Sequence, residues 1–179
     1  RYRALDQINT SNVDVLRAEW MFQTGERGAF ETVPLVIDGV MYFTVQEGKA
    51  YAVDAKSGRQ IWEYKYPLAK DIKLCCGTIN RGLAALGSRL FMVTPDACVV
   101  ALDIRNGRQL WRYTAPPNNA FHIGQRGVSI LNGHIFYMST DAHALSLNAK
   151  TGKVEWDVVV ADVEKGQWST QSPLVVGNH

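Results

Sequence analysis

The sequence predicts an all-β protein with the architecture of an incomplete β-propeller. One eleven-residue motif occurs three times, and its copies end at Trp62, Trp111 and Trp156. These tryptophans are 49 and 45 residues apart, and repeats of about 20 to 50 residues are typical of propeller blades and solenoids. Each copy also lies in a unit that reads as four short strands, which is the size of one propeller blade.

The repeated motif is a strand, a tight turn and another strand. Its copies are Ala52–Trp62, Ala101–Trp111 and Ser146–Trp156. The third residue is Asp or Asn, which can bond its own backbone, and the Gly four residues later accepts a positive φ. The Trp follows four residues after that Gly. An earlier Trp20 lies 42 residues before Trp62 and keeps a similar spacing.

Hairpin signals complete each four-stranded unit. Asp38-Gly39 in the first unit and Asn132-Gly133 in the third separate two apolar, β-rich runs, and such pairs are the strongest short-range hairpin signal. The predicted strands are 32–37, 40–45, 49–54 and 60–64 in the first unit, 82–86, 89–94, 98–103 and 109–113 in the second, and 127–131, 134–139, 142–148 and 154–160 in the third.

We therefore predict one partial propeller domain over residues 1–179. It has blades at about 31–66, 79–115 and 124–161, a leading strand at 16–24 and a trailing strand at 170–177, which makes 14 strands. A propeller protects its sheet edges by closing a ring of about four to eight blades. We expect the ring to be completed by missing blades of a longer polypeptide or by self-association, since three blades and two loose strands cannot close.

Composition and charge exclude several kinds of partner. Hydrophobic residues make up 46% of the chain and charged residues 20%, with a net charge of +2. Lys and Arg are scattered, so we expect no nucleic acid and no anionic membrane surface as partner. No apolar run is long enough to span a bilayer. The chain opens at Arg1 without a signal-peptide pattern, and we expect a mature, trimmed or partial chain.

Two adjacent cysteines, Cys75 and Cys76, form the most unusual local feature. Neighbouring Cα atoms are about 3.8 Å apart, below the roughly 4.4 Å at which ordinary disulfides begin. A bond between them would be strained and reducible, and would persist only in an oxidising compartment. Two reduced thiols in a loop are the other interpretation.

The segment Cys75-Cys-Gly-Thr-Ile-Asn-Arg-Gly82 is similar to the Cys-Cys-x-x-x-Asn-Arg-Gly segment of the pyrroloquinoline quinone (PQQ)-dependent alcohol dehydrogenases. The Trp motif resembles the tryptophan-docking motif of these quinoprotein propellers, and the segments starting at Leu5 and Glu31 resemble their amino-terminal part. The resemblance implies a quinoprotein-type propeller in the periplasm. It also implies a vicinal disulfide that packs against the planar cofactor.

The same resemblance carries over five cofactor-binding residues, which are Glu31, Cys75, Cys76, Arg81 and Thr170. Glu31 matches a carboxylate near the cofactor's carboxylates and amine, Arg81 a cation facing the quinone oxygens, and Thr170 a hydroxyl that bonds the cofactor. Without the resemblance, Glu31 would be a solvated strand-leading residue and Arg81 a surface cation. The family uses Ca²⁺ or a lanthanide as Lewis acid, which we expect only in a full-length relative.

The sequence also departs from the family pattern. Gln125-Arg126-Gly127 mirrors Asn80-Arg81-Gly82, so the third blade resembles a copy of the second without its cysteines, and Thr170 would be displaced by one blade. The family's metal ligands and aspartate base come largely from later blades. We therefore assign no catalytic and no metal-binding residue. The histidines at 122, 134, 143 and 179 show no metal-ligand spacing.

Two functions remain open at the level of sequence. The first is a segment of a periplasmic PQQ-dependent alcohol dehydrogenase, which would move hydride from an alcohol to PQQ. On this interpretation the segment contributes part of the quinone-binding site without being catalytically competent alone, and enzyme activity of the chain itself is uncertain. The second is a non-catalytic propeller-repeat scaffold for protein interaction.

Overall fold

The computed structural model describes residues 6–72, 74, 77–116 and 126–177, and these residues are all-β apart from three short 3₁₀ turns. The 3₁₀ turns are Val13–Val15, Gln46–Gly48 and Val163–Lys165. The strands are β1 Leu35–Ile37, β2 Val40–Thr44, β3 Ala50–Asp54, β4 Gln60–Tyr64, β5 Ala84–Leu86, β6 Arg89–Val93, β7 Val99–Asp103, β8 Gln109–Tyr113, β9 Ser129–Leu131, β10 His134–Met138, β11 His143–Asn148 and β12 Val154–Val159.

These strands form three antiparallel sheets of four strands, each ordered as in the sequence. The first sheet is β1 to β4, the second β5 to β8 and the third β9 to β12. The hairpins begin where the sequence predicts them, because Asp38 and Asn132 both have a φ of 48° and the following glycines also have positive φ. The sheets do not close on themselves, so the predicted fold of three complete blades in an incomplete ring is confirmed.

The prediction of a leading strand at 16–24 and a trailing strand at 170–177 is wrong for this structure. Neither segment forms a strand, and the described residues contain twelve strands instead of fourteen. A strand is stabilised by ladder hydrogen bonds to a neighbouring strand. Neither segment has such a neighbour within the described ranges.

Two apolar clusters join the three sheets face to face. Between the first and second sheets, the fully buried Ala52 and Leu90 pack with Trp62 and Met92. The second cluster joins the second and third sheets, and its buried members are Phe91, Val93, Val99, Ala101, Ile135, Tyr137, Leu145, Leu147 and Ala149. The second sheet contributes to both clusters, so it is packed on both of its faces and lies at the centre of the structure.

Tryptophans lie at the sheet junctions. Trp62 belongs to the first sheet, but its Nε1 donates a hydrogen bond of 3.1 Å to the carbonyl of Ile104, in the β7–β8 turn of the second sheet. The other indoles with the same arrangement are Trp20, which donates to Ala55 at 3.1 Å, and Trp111, which donates to Ala149 at 3.1 Å. Each indole thus joins its own segment to the turn of the next unit.

The outer face of the third sheet is uncovered in this structure. Trp156 is 44% exposed, whereas its counterpart Trp62 is 7% exposed. Val154 and Val158 on the same strand are also exposed. No helix among the residues described is both long and apolar enough to cross a membrane.

Candidate functional site

The segments that lead into the first strands of the first and second sheets meet side by side. The backbone N–H of Val33 donates a hydrogen bond of 3.4 Å to the carbonyl of Arg81. Val33 and Gly82 also form an isolated parallel bridge. This contact brings the segment that resembles the family's Asn-Arg-Gly sequence against the segment that begins at Glu31.

Gly82 is required for this approach. Its φ is +115°, and a Cβ at this position would lie 2.9 Å from the carbonyl oxygen of Val33. That distance is too short for a carbon atom, and the backbone conformation itself is strained for residues with a side chain. The glycine therefore allows the two segments to lie close enough for their neighbouring side chains to meet.

Arg81 and Glu31 form an ion pair across this contact, between the Arg81 Nη1 and the Glu31 Oε2. Both side chains are 36% exposed, so the pair lies at the surface and remains accessible. An exposed pair of this kind stabilises a fold by only about 0–1 kcal/mol. Since guanidinium carries five N–H donors in a planar fork, a single contact leaves donors free to face a ligand.

Asn80 fixes the backbone beneath the ion pair. It is 4% exposed, its Nδ2 donates to the carbonyl of Val93 at 2.8 Å, and its Oδ1 accepts from the N–H of Gly82 at 3.1 Å. Both ends of the side-chain amide are thereby satisfied in the interior. Asn80 thus anchors the Arg81 segment to the second sheet.

A second polar contact anchors the same segment to the first sheet. Thr78 donates a hydrogen bond of 2.8 Å from its hydroxyl to Gln46, and its carbonyl accepts from the N–H of Glu47 at 2.9 Å. The Gln46 amide also donates to the carbonyl of Ala29. Sequence reasoning missed Gln46, since nothing in its local pattern marks it, whereas Thr78 lies inside the Cys75–Gly82 segment.

The charges around this edge are nearly balanced. Lys49 Nζ lies 2.7 Å from Glu26 and 3.1 Å from Glu47. The hydrogen bond to Glu26 is the main reason why the pKa of Lys49 is raised above its ordinary value. Lys49 and Arg81 thus each have a carboxylate partner among the described residues.

Of the five predicted cofactor residues, the structure brings Glu31 and Arg81 together. Cys75 and Cys76 lie outside the described residues, so their pairing stays a prediction. Thr170 lies elsewhere, where its carbonyl accepts a hydrogen bond of 3.1 Å from the N–H of Arg126. Arg126 is the residue that matches Arg81 one unit later in the sequence.

Histidines 134 and 143 are paired with carboxylates of the third sheet. His143 Nδ1 lies 2.6 Å from Asp157 Oδ1, and His134 contacts Glu155. Within the part of the chain that the structure describes, no group of three or more His, Cys, Asp or Glu side chains could hold a metal ion. Histidines 122 and 179 lie outside the described residues.

Comparison with known proteins places these features in context. Residues 17–179 match the model of the PQQ_2 family, which is described as outer membrane protein assembly factor BamB. The chain is 44% identical over 103 residues to the quinoprotein alcohol dehydrogenase PedH of Pseudomonas putida. The aligned residues make up 56% of this chain and 17% of that protein.

Solved structures show the same similarity in three dimensions. The quinohemoprotein alcohol dehydrogenase from Comamonas testosteroni superposes with a TM-score of 0.77 at 25% identity, over 88% of this chain and 25% of that one. BamB from Moraxella catarrhalis gives a TM-score of 0.56 at 19% identity, over 71% of this chain and 37% of that one, which shows the fold alone. The chain spans about a sixth of the length of the curated relative.

Proposed function

The chain belongs to the PQQ_2 family, and from this premise we propose that it is a segment of a periplasmic PQQ-dependent alcohol dehydrogenase that supplies part of the quinone-binding site. The observation that carries the proposal is the ion pair between Glu31 and Arg81. Two residues assigned to the cofactor by resemblance are 50 positions apart in the sequence and meet at one accessible edge.

The residues at this edge fit part of such a cofactor. PQQ is a planar, anionic quinone, and when bound it supplies the hydride acceptor for oxidation of an alcohol. Arg81 offers a half-exposed cation whose remaining N–H donors can bond anionic oxygens. Glu31 is a carboxylate and would repel an anion. This repulsion is reduced if Glu31 stays paired with Arg81 or accepts a hydrogen bond from an N–H group of the cofactor.

Each side chain of the edge then has a distinct task. Arg81 would place a fixed positive charge beside the oxygens of the cofactor, and Glu31 orients its guanidinium. Asn80, Gly82 and Thr78 fix the backbone that carries Arg81. This rigid support matters, because a fixed cation stabilises charge without having to reorganise.

In the proposed site, Cys75 and Cys76 would form the vicinal disulfide that the family resemblance implies, beside the cofactor. Support comes from the segment that follows them, since Thr78 and Asn80 anchor it to two different sheets. A disulfide between neighbours is reducible and persists only in an oxidising compartment, which the proposed periplasmic location would provide.

The chain alone supplies only part of an enzyme in this proposal. It spans 17% of its curated relative, and its three sheets do not close. We infer that further blades provide the catalytic base and the ligands of Ca²⁺ or a lanthanide, and that the alcohol is a substrate of the complete protein. Further blades or self-association would cover the exposed Trp156 face.

Binding of PQQ to the isolated chain tests the proposal. The chain is incubated with PQQ and Ca²⁺, and binding is followed by quenching of tryptophan fluorescence. Saturable binding that disappears after treatment with dithiothreitol supports the proposal, with mass spectrometry reporting the state of the two adjacent cysteines. Absence of binding at cofactor concentrations well above micromolar would refute it for the isolated chain.

A second candidate function is a non-catalytic scaffold for protein interaction. The observation in its favour is the uncovered apolar face of the third sheet, where Trp156 is 44% exposed and Val158 is 53% exposed. Exposed apolar patches mark interaction surfaces. Light scattering at high protein concentration discriminates here, because a strict monomer would count against any ring completed by a partner.

A further inference from the structure

A cavity of about 450 Å³ lies between the second and third sheets. It opens at the end of β5 that is opposite to Arg81, and is therefore separate from the candidate quinone site. Three turns line it, around residues 86–89, 132–134 and 148–150. Hence the cavity is formed by hairpin ends, which the sheet register holds in place.

The internal repeat shows why a cavity exists at this junction. At the corresponding place between the first and second sheets, Ile37, Val40 and Ile104 pack against the apolar core. Their counterparts in the next unit are Leu86, Arg89 and Ala149, since Arg89 pairs with Leu86 as Val40 pairs with Ile37. Trp111 bonds the carbonyl of Ala149 as Trp62 bonds that of Ile104.

Two of these differences change the chemistry of the junction. Arg89 places a cation where the first junction has the apolar Val40. Ala149, which stands where the first junction has the larger Ile104, lines the cavity. The first junction is therefore an apolar plug, whereas the second is a cavity with a positive charge in its wall.

Arg89 carries an unsatisfied donor at this cavity. Its Nε is buried and is the one buried side-chain nitrogen or oxygen atom without a hydrogen-bond partner in the described part of the chain. The residue opposite Arg89 across the strand pair is Asp103, but that carboxylate bonds Arg105, with Nη2 and Oδ2 3.2 Å apart. A buried donor without a partner destabilises the unliganded chain, so the Arg89 guanidinium is not fully satisfied by the protein itself.

The lining of the cavity carries two positive charges and no carboxylate. Lys150 is the second cation, and Asn148 stands where the earlier repeats have a charged Asp. Two acidic side chains lie next to lining residues: Asp103, opposite Arg89 in the strand pair, and Glu155, whose Oε1 lies 3.0 Å from the amide of Asn148. The other oxygen of Glu155 contacts His134 and accepts a hydrogen bond from the Ser146 hydroxyl, so this carboxylate already has partners of its own.

We propose that this cavity binds a small oxyanion, a carboxylate or a phosphate group, through Arg89 and Lys150. A planar guanidinium matches the two oxygens of either group, and hydrogen bonds between ionised partners are about twice as strong as neutral ones. The outer N–H groups of the Arg89 guanidinium would donate to the bound oxygens, and Lys150, which also lines the cavity, adds a second positive charge.

The proposal is tested by nuclear magnetic resonance on the whole chain. Inorganic phosphate and acetate are titrated separately at constant ionic strength, with chloride as reference, while the Arg89 Nε–H and the amides of Gly87 and Gly133 are followed. Saturable shifts with phosphate or acetate, absent with chloride, are expected. The anion that saturates at lower concentration identifies phosphate or carboxylate as the natural class.

Variants taken from the repeat itself provide the controls. Arg89→Val restores the apolar residue of the first junction, and Ala149→Ile fills the cavity while keeping Arg89; each should weaken anion binding at least tenfold. Lys150→Gln, a surface change that leaves the fold intact, should weaken it about threefold or more. Lys56→Gln, at the matching position of the first unit, should leave binding unchanged.

The proposal is overturned if neither anion gives saturable shifts beyond those of chloride. It is equally overturned if the folded Ala149→Ile and Lys150→Gln variants bind as tightly as the unchanged chain. Signal dispersion in the same spectra reports whether each variant is folded, so a loss of binding cannot be mistaken for unfolding.

Discussion

Trp62, on β4 of the first sheet, is in direct contact with Gly107, in the β7–β8 turn of the second sheet. A Cβ built on Gly107 would lie 2.6 Å from the Trp62 ring, and the same indole bonds the carbonyl of Ile104 at 3.1 Å. The glycine of each repeated motif therefore has two functions, since it adopts the positive φ of the turn and leaves room for an indole from the preceding unit.

Replacing Gly107 with alanine should destabilise the chain by about 2–5 kcal/mol. The left-handed backbone costs a residue with a side chain about 1–2 kcal/mol, and the clash with Trp62 adds an overpacking cost of about 1–3 kcal/mol. Urea unfolding measures the loss. Gly39→Ala is the matched control, because Gly39 has a φ of 75° and nothing within 4 Å of an added Cβ. Equal losses for the two variants would contradict the contact.

Tryptophans 111 and 156 occupy the same motif position but should differ in their contribution to stability. Trp111→Phe removes the donor to the Ala149 carbonyl and should lower the free energy of unfolding by about 1–3 kcal/mol. Trp156→Phe changes a side chain that is 44% exposed, and should cost less than about 0.5 kcal/mol. Denaturant melts of both variants provide the comparison, and a reversed order would refute the assignment of Trp111 to a sheet junction.

Tyr137 joins the third sheet to the second through its hydroxyl. The side chain is fully buried, and its hydroxyl donates to the carbonyl of Ala97 at 2.8 Å. Burial is the main cause that raises the pKa of Tyr137 well above its ordinary value, so the hydroxyl stays protonated as a donor. Tyr137→Phe should cost about 1–2 kcal/mol in thermal or chemical unfolding. Tyr64→Phe, which breaks a 2.7 Å exposed bond to Gln109, serves as control and should cost clearly less.

Acid should weaken the first two repeated turns through their aspartates, which the third turn lacks. The hydroxyl of Ser57 holds the pKa of Asp54 below its ordinary value, and the Arg105 guanidinium does the same for Asp103. The stabilisation is complete above the unfolded pKa of about 3.9 and is lost as pH falls through the lower folded pKa. Asn148 takes their place in the third unit and does not titrate.

The Asp54→Asn and Asp103→Asn double variant tests this pH dependence. Asn148 already accepts from the N–H of Lys150 at 3.0 Å, so the amide can form the turn. The double variant should therefore fold, and its melting temperature should fall less between pH 5 and pH 2 than that of the unchanged chain. An identical pH profile for both proteins would show that these carboxylates do not contribute.

Local sequence patterns predict most of the sheet structure, because hairpin turns and strand starts depend on residues that are neighbours in the sequence. Asn132-Gly133 forms the predicted hairpin, and β4, β8 and β12 each begin at the predicted residue. The position of Trp20 and the likeness of 172–176 to 33–37 predict strands at 16–24 and 170–177. These segments form none, because a strand depends on a neighbouring strand that a local pattern does not report.

The candidate site could be predicted only in part. The sequence indicates Arg81 and Glu31 separately, by resemblance, but not that their side chains pair. Gln46 contacts Thr78 across 32 residues, and such a contact leaves no mark in a single sequence. The anion cavity depends on Arg89 and Ala149 from neighbouring sheets, so it becomes visible only once the sheets are packed.

The central claim is that Arg81 contributes to a quinone site, and Arg126 offers an internal control, since it occupies the equivalent place one unit later. PQQ is titrated into the unchanged chain, Arg81→Gln and Arg126→Gln, with Ca²⁺ present and the cysteines oxidised. The account predicts that Arg81→Gln weakens binding at least tenfold, while Arg126→Gln changes it less than twofold. Equal binding by all three proteins, or equal loss in both variants, would contradict the claim.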